Sequence, residues 1–379
     1  SAGLELNESA DSKNRIAVQL GLKDTEINFP WIDWVKPVGE KALLRGWANI
    51  SSGKFESIPL IELESRETQL SSQMILNKQG ELQELLITDL NAPEIKIHEM
   101  KILLEDEETL HIEVEGTKLN LKPLIRTNTE ISFQPRSVEF SLNSESISIS
   151  PSVSLSGLLK GRLDGNGTLQ TRHEGSLIFD NQTMLQKANF EMVQSGKTLK
   201  IQGKGLVGEN PLNFNFAPDS QGNGELELEA EEAGNVLSFL DITQTVSGGR
   251  LKLSTKFKGD NLSYHDSEIY LSNFTLKEAP LLVDIFSLIS PTGLLEKLLG
   301  EGVFYDEGYG KVTVAGNRFT IHEASAVGFS SGIIFSGWID LDQNQLDIKG
   351  SVAPAFILSR LVRWIPILGT ILTGTDKGG

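Results

Sequence analysis

The sequence predicts a mostly β protein of antiparallel strands with one apolar face, arranged as a long curled sheet or as a closed sandwich, with a few short amphipathic helices capping or lining it. Three observations lead there. Apolar and polar residues alternate at period two through most of the 379-residue chain, which makes strands with one apolar and one wet face. Gly, Asn and Asp turn residues punctuate the alternation roughly every ten residues, a spacing typical of all-β folds. Apolar residues at helical spacing break the pattern in only a few places. A sandwich closed on a dry core would alternate in the same way, so periodicity alone leaves both open.

Residues 1–29 are largely polar, with one alternating run from Arg15 to Leu20 in which Ile16, Val18 and Leu20 share one side of a strand. From Pro30 to Gly53, Trp31, Trp34, Val35, Ala42, Leu43 and Trp47 recur at helical spacing around Pro37-Val38-Gly39, so a helical insert is expected near 30–50. It reads as a plug over the open end of a sheet, or as a membrane-interface helix. Strands return from Lys54, and the acidic run Glu105-Asp106-Glu107-Glu108 reads as a solvated hairpin loop. Val138, Phe140, Leu142, Ile147 and Ile149 continue the alternation, and Gly157, Gly161, Gly165 and Gly167 read as turns.

Further on, Glu225 to Glu231 is acidic at every second position, while Arg250, Lys252, Lys256 and Lys258 share one face of a later strand. These two strands are expected to be neighbours, joined by cross-strand charge pairs. Val236, Leu237, Phe239 and Leu240 predict a short helix near 232–245. Two more helices are expected near 280–299, split at Pro291-Thr292-Gly293, and near 355–372, broken by Pro366. Between them, Val312 with Val314, Phe319 with Ile321, Ile333 with Phe335, Ile339 with Leu341, and Leu346 with Ile348 each share a face. Ala315-Gly316-Asn317, Gly328 to Gly332, Ser336-Gly337 and Asp342-Gln343-Asn344 separate them, which predicts an antiparallel meander. Two regions are expected: an N-terminal β-groove segment, 1–155, and a C-terminal one, 156–379.

Composition excludes several classes. With 34 basic and 51 acidic residues the formal net charge is −17, so nucleic acid is not expected as a partner. Cysteine is absent, which removes disulfides, thiolate catalysis and zinc–thiolate sites. No uncharged apolar run reaches the roughly eighteen residues of a membrane-spanning helix, and no signal peptide opens the chain. The chain reads as a fragment without its membrane anchor and tail.

The motifs that resemble chemistry lack its context. Gly328-Phe329-Ser330-Ser331-Gly332 fits a nucleophile elbow, but that motif needs a strand-to-helix turn and strands flank this one. Gly196-Lys197-Thr198 resembles the end of a phosphate-binding loop, yet Glu191 stands at the first glycine position and strands again flank it. The Asp219–Gly224 loop lacks the closing acid of a calcium site, which would fall at Ala230. The five histidines, His98, His111, His173, His265 and His322, have no metal-ligand spacing. No catalytic residue, metal or cofactor is expected, and the chain is not read as an enzyme.

Pro280-Leu281-Leu282, Thr292-Gly293-Leu294-Leu295 and Gly300-Glu301-Gly302-Val303-Phe304 form an apolar helix pattern followed by a strand. In these residues, and over roughly its last hundred, the chain resembles the AsmA-like family of bacterial envelope proteins. Ser336-Gly337-Trp338-Ile339-Asp340-Leu341, Leu346-Asp347-Ile348-Lys349-Gly350 with Pro354, and Ile365-Pro366-Ile367-Leu368-Gly369 through Thr373-Gly374 match its closing motifs. Upstream, Gly46-Trp47-Ala48-Asn49-Ile50 to Gly53 is similar to a segment of the accompanying domain of unknown function. The resemblance implies a repeating, taco-like β-groove, a long curled antiparallel sheet with an apolar inside, in a bridge-like lipid-transfer protein of the periplasm that is anchored in the inner membrane when full-length. It implies phospholipid as ligand and envelope or outer-membrane proteins as further partners.

On that reading the groove is lined by Val312, Val314, Phe319, Ile321, Phe335, Ile339, Leu341, Leu346 and Ile348, with the inward face assigned by polarity. Leu281, Leu282, Ile285, Phe286, Leu294, Leu295, Phe356, Leu361, Trp364 and Ile365 are expected on helices that gate the groove or touch a membrane, the last near Arg360 and Arg363 as in an interfacial helix. The alternative is an envelope assembly factor that pairs its sheet edge with another protein's strand.

Overall fold

A computed structural model describes Ala2–Gly3 and residues 15–29, 33–51, 54–105, 108–123, 137–180, 182–219, 221–239, 242–258, 261–277, 301–329 and 331–354. The protein is mostly β and falls into two compact units, Ser1–Leu199 and Lys200–Gly379. The division expected at 155/156 lies inside a strand.

The first unit contains β1 (Ala2–Gly3), β2 (Arg15–Gly21), β3 (Ile27–Phe29), β4 (Trp34–Lys36), β5 (Ala42–Ser51), β6 (Lys54–Ser65), β7 (Gln69–Leu76), β8 (Leu82–Ala92), β9 (Ile95–Glu105), β10 (Thr109–Asn120), β11 (Ser137–Ser148), β12 (Val153–Asp164), β13 (Thr168–Phe179) and β14 (Gln182–Ser195). β1 pairs β2, β2 pairs β5, and from β5 to β14 each strand pairs the next. All these pairs are antiparallel except β10–β11, which is parallel from Thr109↔Ser137 to Asn120↔Ser148. That corrects the expectation of a wholly antiparallel sheet. Strand direction depends on the path of the connection, which alternation does not record.

The second unit follows from β15 (Thr198–Val207) through β16 (Asn210–Pro218), β17 (Gly224–Ala230), α1 (Ala233–Phe239), β18 (Val246–Lys258), β19 (Asn261–Leu276), β20 (Val303–Ala315), β21 (Arg318–Val327) and β22 (Ser331–Asp340) to β23 (Gln345–Pro354). It is an antiparallel meander in sequence order. The expected charge pairing is present: Glu225 faces Lys256 and Glu229 faces Lys252, with N–O distances of 3.4 and 2.9 Å.

Among the described residues the helical insert expected near 30–50 is absent: Trp34–Lys36 and Ala42–Ser51 form β4 and β5, joined across a turn in which Gly39 takes φ 95, and Trp31 lies outside the described residues. Ala42, Leu44 and Ala48 use the period-two pattern to face inward, and pairing with β2 and β6 overrides the helical spacing of Ala42, Leu43 and Trp47. The covering role falls instead to the β3–β4 hairpin, where Phe29 stacks on Trp34 at 5.6 Å and both join the core. The helix near 232–245 is shorter than expected, and Ile242 beyond it is exposed. The helices expected near 280–299 and 355–372, with all ten residues assigned to gating or membrane contact, lie outside the described residues.

The first unit buries one contiguous apolar cluster on one side of its sheet, from Trp34 and Leu63 to Ile147 and Leu155. A flat single layer cannot bring such side chains to 0–8% exposure, so the sheet bends over its own apolar face. The bend has a visible cause. Gly116, Ser144, Gly157, Gly175 and Ala188 are successive cross-strand partners on β10 to β14, making one line across the sheet. The register slips beside that line at Gly116, between Ser144 and Ile147, and at Gly175. Bulges and glycines are the standard means of creasing a sheet. At the crease the backbones approach so closely that a Cβ on Gly175 would strike the carbonyl oxygen of Ser156. Gly157 and Gly161 therefore belong to the middle of β12, and only Gly165 and Gly167 sit at the turn that the sequence suggested for all four.

Gly175→Ala is expected to lower stability by about 2–3 kcal/mol, the cost of overpacking a tight site. Gly167→Ala, at a turn with φ 78 and nothing within 4 Å, is expected to cost about 1 kcal/mol. Urea unfolding midpoints compare the two; equal losses would contradict the crease.

Candidate functional site

In the second unit, cross-strand partners on the inner face line up in rows, because directly opposed residues project to the same side. One row runs Ile201, Phe216, Leu226, Thr255, Ser267, Val312, Ile321, Gly337, Ile348. The next, nearer the hairpin turns, runs Phe257, His265, Val314, Phe319, Ile339, Leu346. On the other side lies Phe214, Leu228, Leu253, Ile269, Gly310, Ala324, Phe335, Gly350. A fourth row contains Leu212, Ala230, Leu251, Leu271, Gly308, Ala326 and Ile333. The rows stay aligned because β21 inserts His322 as a bulge between Ile321 and Ala324.

Burial differs between the two margins of these rows. Along the α1 margin the face is closed: Leu212, Leu251 and Ile333 are buried, and α1 lays Ala233, Val236 and Leu237 against β18 and β19. Asn235 N–H donates to Glu232 Oε2 at 2.6 Å, which caps the helix start. Asn273 (φ 54) and Gly249 (φ 83) break the alternation opposite each other, and the Phe274 ring comes to lie against Gly308. Phe274 stacks on Tyr305 at 5.7 Å, and Tyr305 Oη hydrogen-bonds Ser331 Oγ at 3.2 Å. Burial pushes the Tyr305 phenol up from its ordinary value, so it stays neutral.

Along the hairpin margin the face is open. Phe216, Phe257, Val314, Phe319, Ile321 and Ile339 are half-buried, and Leu346 is 53% exposed. At about 4.8 Å per strand the first row, across nine strands, is roughly 38 Å long and the second, across six, roughly 24 Å. One acyl chain spans about 15 Å, half of a bilayer core, so the trough is longer than one chain.

The outer face of the same strands carries the ion pairs, with Tyr264, Phe304 and Ile334 exposed on it as well. Lys311 meets Glu268 at 2.8 Å, Lys258 meets Asp266 at 2.9 Å, and Thr313 Oγ1 donates to Asp266 at 2.6 Å. The Thr313 hydrogen bond, followed by Lys258, holds the Asp266 carboxyl below the usual carboxylate range. Tyr270 and Tyr309 pack at 5.0 Å on that side, and Arg318 lies over Trp338 at 4.6 Å.

Of the residues expected to line the groove, Val312, Ile321 and Ile348 share one row, Val314, Phe319, Ile339 and Leu346 the next, and Phe335 the third. Leu341 does not join them. β22 ends at Asp340, and Leu341 sits in the following turn, 60% exposed, donating its N–H to Asn317 O at 3.0 Å. Ser336-Gly337 is not a break either; β22 runs straight through it. The sequence reading missed the contribution of β16 to β19, namely Phe216, Leu226, Thr255, Phe257, His265 and Ser267. The alternation of Phe257 and His265 across their strands carried that signal. Gly328 to Gly332 links two strands, which rules out a strand-to-helix elbow there.

The middle of the first unit's inner face is a buried core, while Leu163 and Phe179 at its margins are exposed. In that core, His173 lies between Leu159 and Phe190 with 0% exposure, its ring 4.9 Å from that of Phe190. The backbone at Ser176 and Leu158 is near enough to favour the charged ring, yet neither ring nitrogen makes a hydrogen bond. Burial dominates and pulls the imidazole below its ordinary value of 6.5. A depressed histidine stabilises the fold above the unfolded value and loses that contribution as pH falls through it, because the unfolded chain then binds the proton first.

His173→Leu is therefore expected to match or exceed the native protein in stability at pH 8, and to lose less on acidification. The difference should grow by up to about 1.4 kcal/mol per pH unit below about 6.5. Thermal melts at pH 8, 6 and 5 check this; parallel losses would contradict a neutral buried ring. No family model matches the chain, and no curated protein or solved structure does either.

Proposed function

We propose that this protein is a periplasmic hydrophobic-groove protein that binds phospholipid acyl chains and supports lipid transport between the inner and outer membranes. The observation that carries the reading is the set of half-buried apolar rows along the open margin of the second unit. An exposed apolar strip of that length is unusual on a water-facing surface and fits an elongated apolar ligand. An open trough covers one side of a chain, gaining about half of the ~0.8 kcal/mol available per buried methylene. That is enough to hold a chain and little enough to let it move along. The resemblance to AsmA-like envelope proteins supplies the periplasmic setting, and no catalytic group is required for passive transfer.

A second reading rests on β23, whose far edge has no strand partner among the described residues. An unpaired edge is a template for a partner's strand, and an envelope assembly factor would use it.

Native mass spectrometry of protein purified gently from a bacterial envelope, with lipid extraction alongside, distinguishes the two. Phospholipid adducts are expected on the native chain. They should be lost in Phe335→Glu and Ile339→Glu and kept in Ser336→Glu, which changes the outer side of β22. A clean apo mass that takes up no lipid on titration would overturn the groove. Binding of an envelope protein that survives Phe335→Glu would favour the edge-pairing reading.

A further inference from the structure

The open rows of the second unit are apolar with one exception, a hydrogen-bonded chain of three polar side chains. Thr255 Oγ1 lies 2.9 Å from Ser267 Oγ, and Ser267 Oγ lies 3.0 Å from His265 Nδ1. Thr255 and Ser267 are buried, at 4% and 7% exposure, while His265 is half-buried beside Phe257, ring centroids 5.5 Å apart. Leu226, Val312 and Val314 are their cross-strand neighbours.

The direction of this chain follows from proton accounting. If His265 Nδ1 donated, Ser267 would donate to Thr255, and the Thr255 proton would be buried with no acceptor among the described residues. Such a loss costs about 1–3 kcal/mol. In the reverse direction Thr255 donates to Ser267, Ser267 donates to His265 Nδ1, and every hydroxyl proton has a partner. The ring is then neutral with its proton on Nε2. Burial, which pulls this imidazole below its ordinary value, acts in the same sense. Nε2 has no partner among the described residues.

We propose that His265 Nε2–H is a polar anchor in the trough, donating a hydrogen bond to the ester carbonyl of an acyl lipid whose chain lies along the apolar rows. An ester fits better than a carboxylate or phosphate. The site offers one neutral donor, and the nearby cations Lys256 and Lys258 are engaged by Glu225 and Asp266 on the outer face. An anion here would be buried without a countercharge, whereas a carbonyl needs one donor. The inference rests on the groove reading above and adds a fixed point to it: the acyl ester stops at β19, and the chain extends from there.

The test compares dodecanoyl glycerol with dodecyl glycerol ether, which has the same chain and no carbonyl. Competition with an uncharged apolar fluorophore gives both affinities. The native chain should bind the ester about 2- to 12-fold more tightly, the worth of one neutral hydrogen bond, and His265→Phe should bring the ester-to-ether affinity ratio to about one, whatever the variant does to the two affinities together. Equal affinities in the native chain, or a preference that persists in His265→Phe, overturn the anchor and leave the groove standing. Failure of both ligands to bind overturns the groove itself, and the anchor with it. Long-range proton–nitrogen NMR of the native chain reads the tautomer without any variant: an Nε2–H ring is expected, and an Nδ1–H ring refutes the assignment.

Discussion

Everything in this structure depends on one constraint: a sheet with one apolar face has to remove that face from water, and among the described residues only α1 and the β3–β4 hairpin are there to cover it. Most β proteins meet the constraint with another sheet or a layer of helices. Here the first unit bends on itself. The line from Gly116 to Ala188 removes side chains where the strands crease, and the register slips beside it supply the extra residue each bend needs. The second unit meets the same constraint only in part. Its α1 margin is covered, and its hairpin margin is left half-open.

That difference separates core from candidate site. Both units carry the same alternation, so the pattern cannot distinguish a residue that packs from one that waits for a ligand. Ile147 and Leu346 look alike in sequence; one is fully buried and the other is half in solvent. What decides between them is the neighbouring element. The β3–β4 hairpin brings Trp34 and Phe29 onto the first core, whereas nothing among the described residues covers Leu346.

Period-two alternation was enough to locate nearly all strands and to group Val312, Val314, Phe319, Ile321, Phe335, Ile339, Leu346 and Ile348 on one face. Opposite charges at alternate positions were enough to pair β17 with β18. Glycine was the source of most errors. Gly157, Gly161 and Gly337 look like turns because turns need glycine, but creases need it for the same steric reason. Trp47 and its neighbours misled differently, since a short apolar segment satisfies helical and strand spacing at once. The parallel β10–β11 pair and the Thr255–Ser267–His265 chain were not legible, because both depend on which strands come together in space.

The central claim is that the inner and outer faces of the second unit differ in function: one receives apolar chains and the other meets water. A photoreactive amino acid placed in turn at Val314 and Ile339 on the inner face, and at Ser336 and Lys349 on the outer, tests this in the cell envelope. With lipids metabolically labelled, the account predicts label captured from the two inner positions and not from the outer ones. Capture from the outer positions alone, or equal capture from all four, would contradict it.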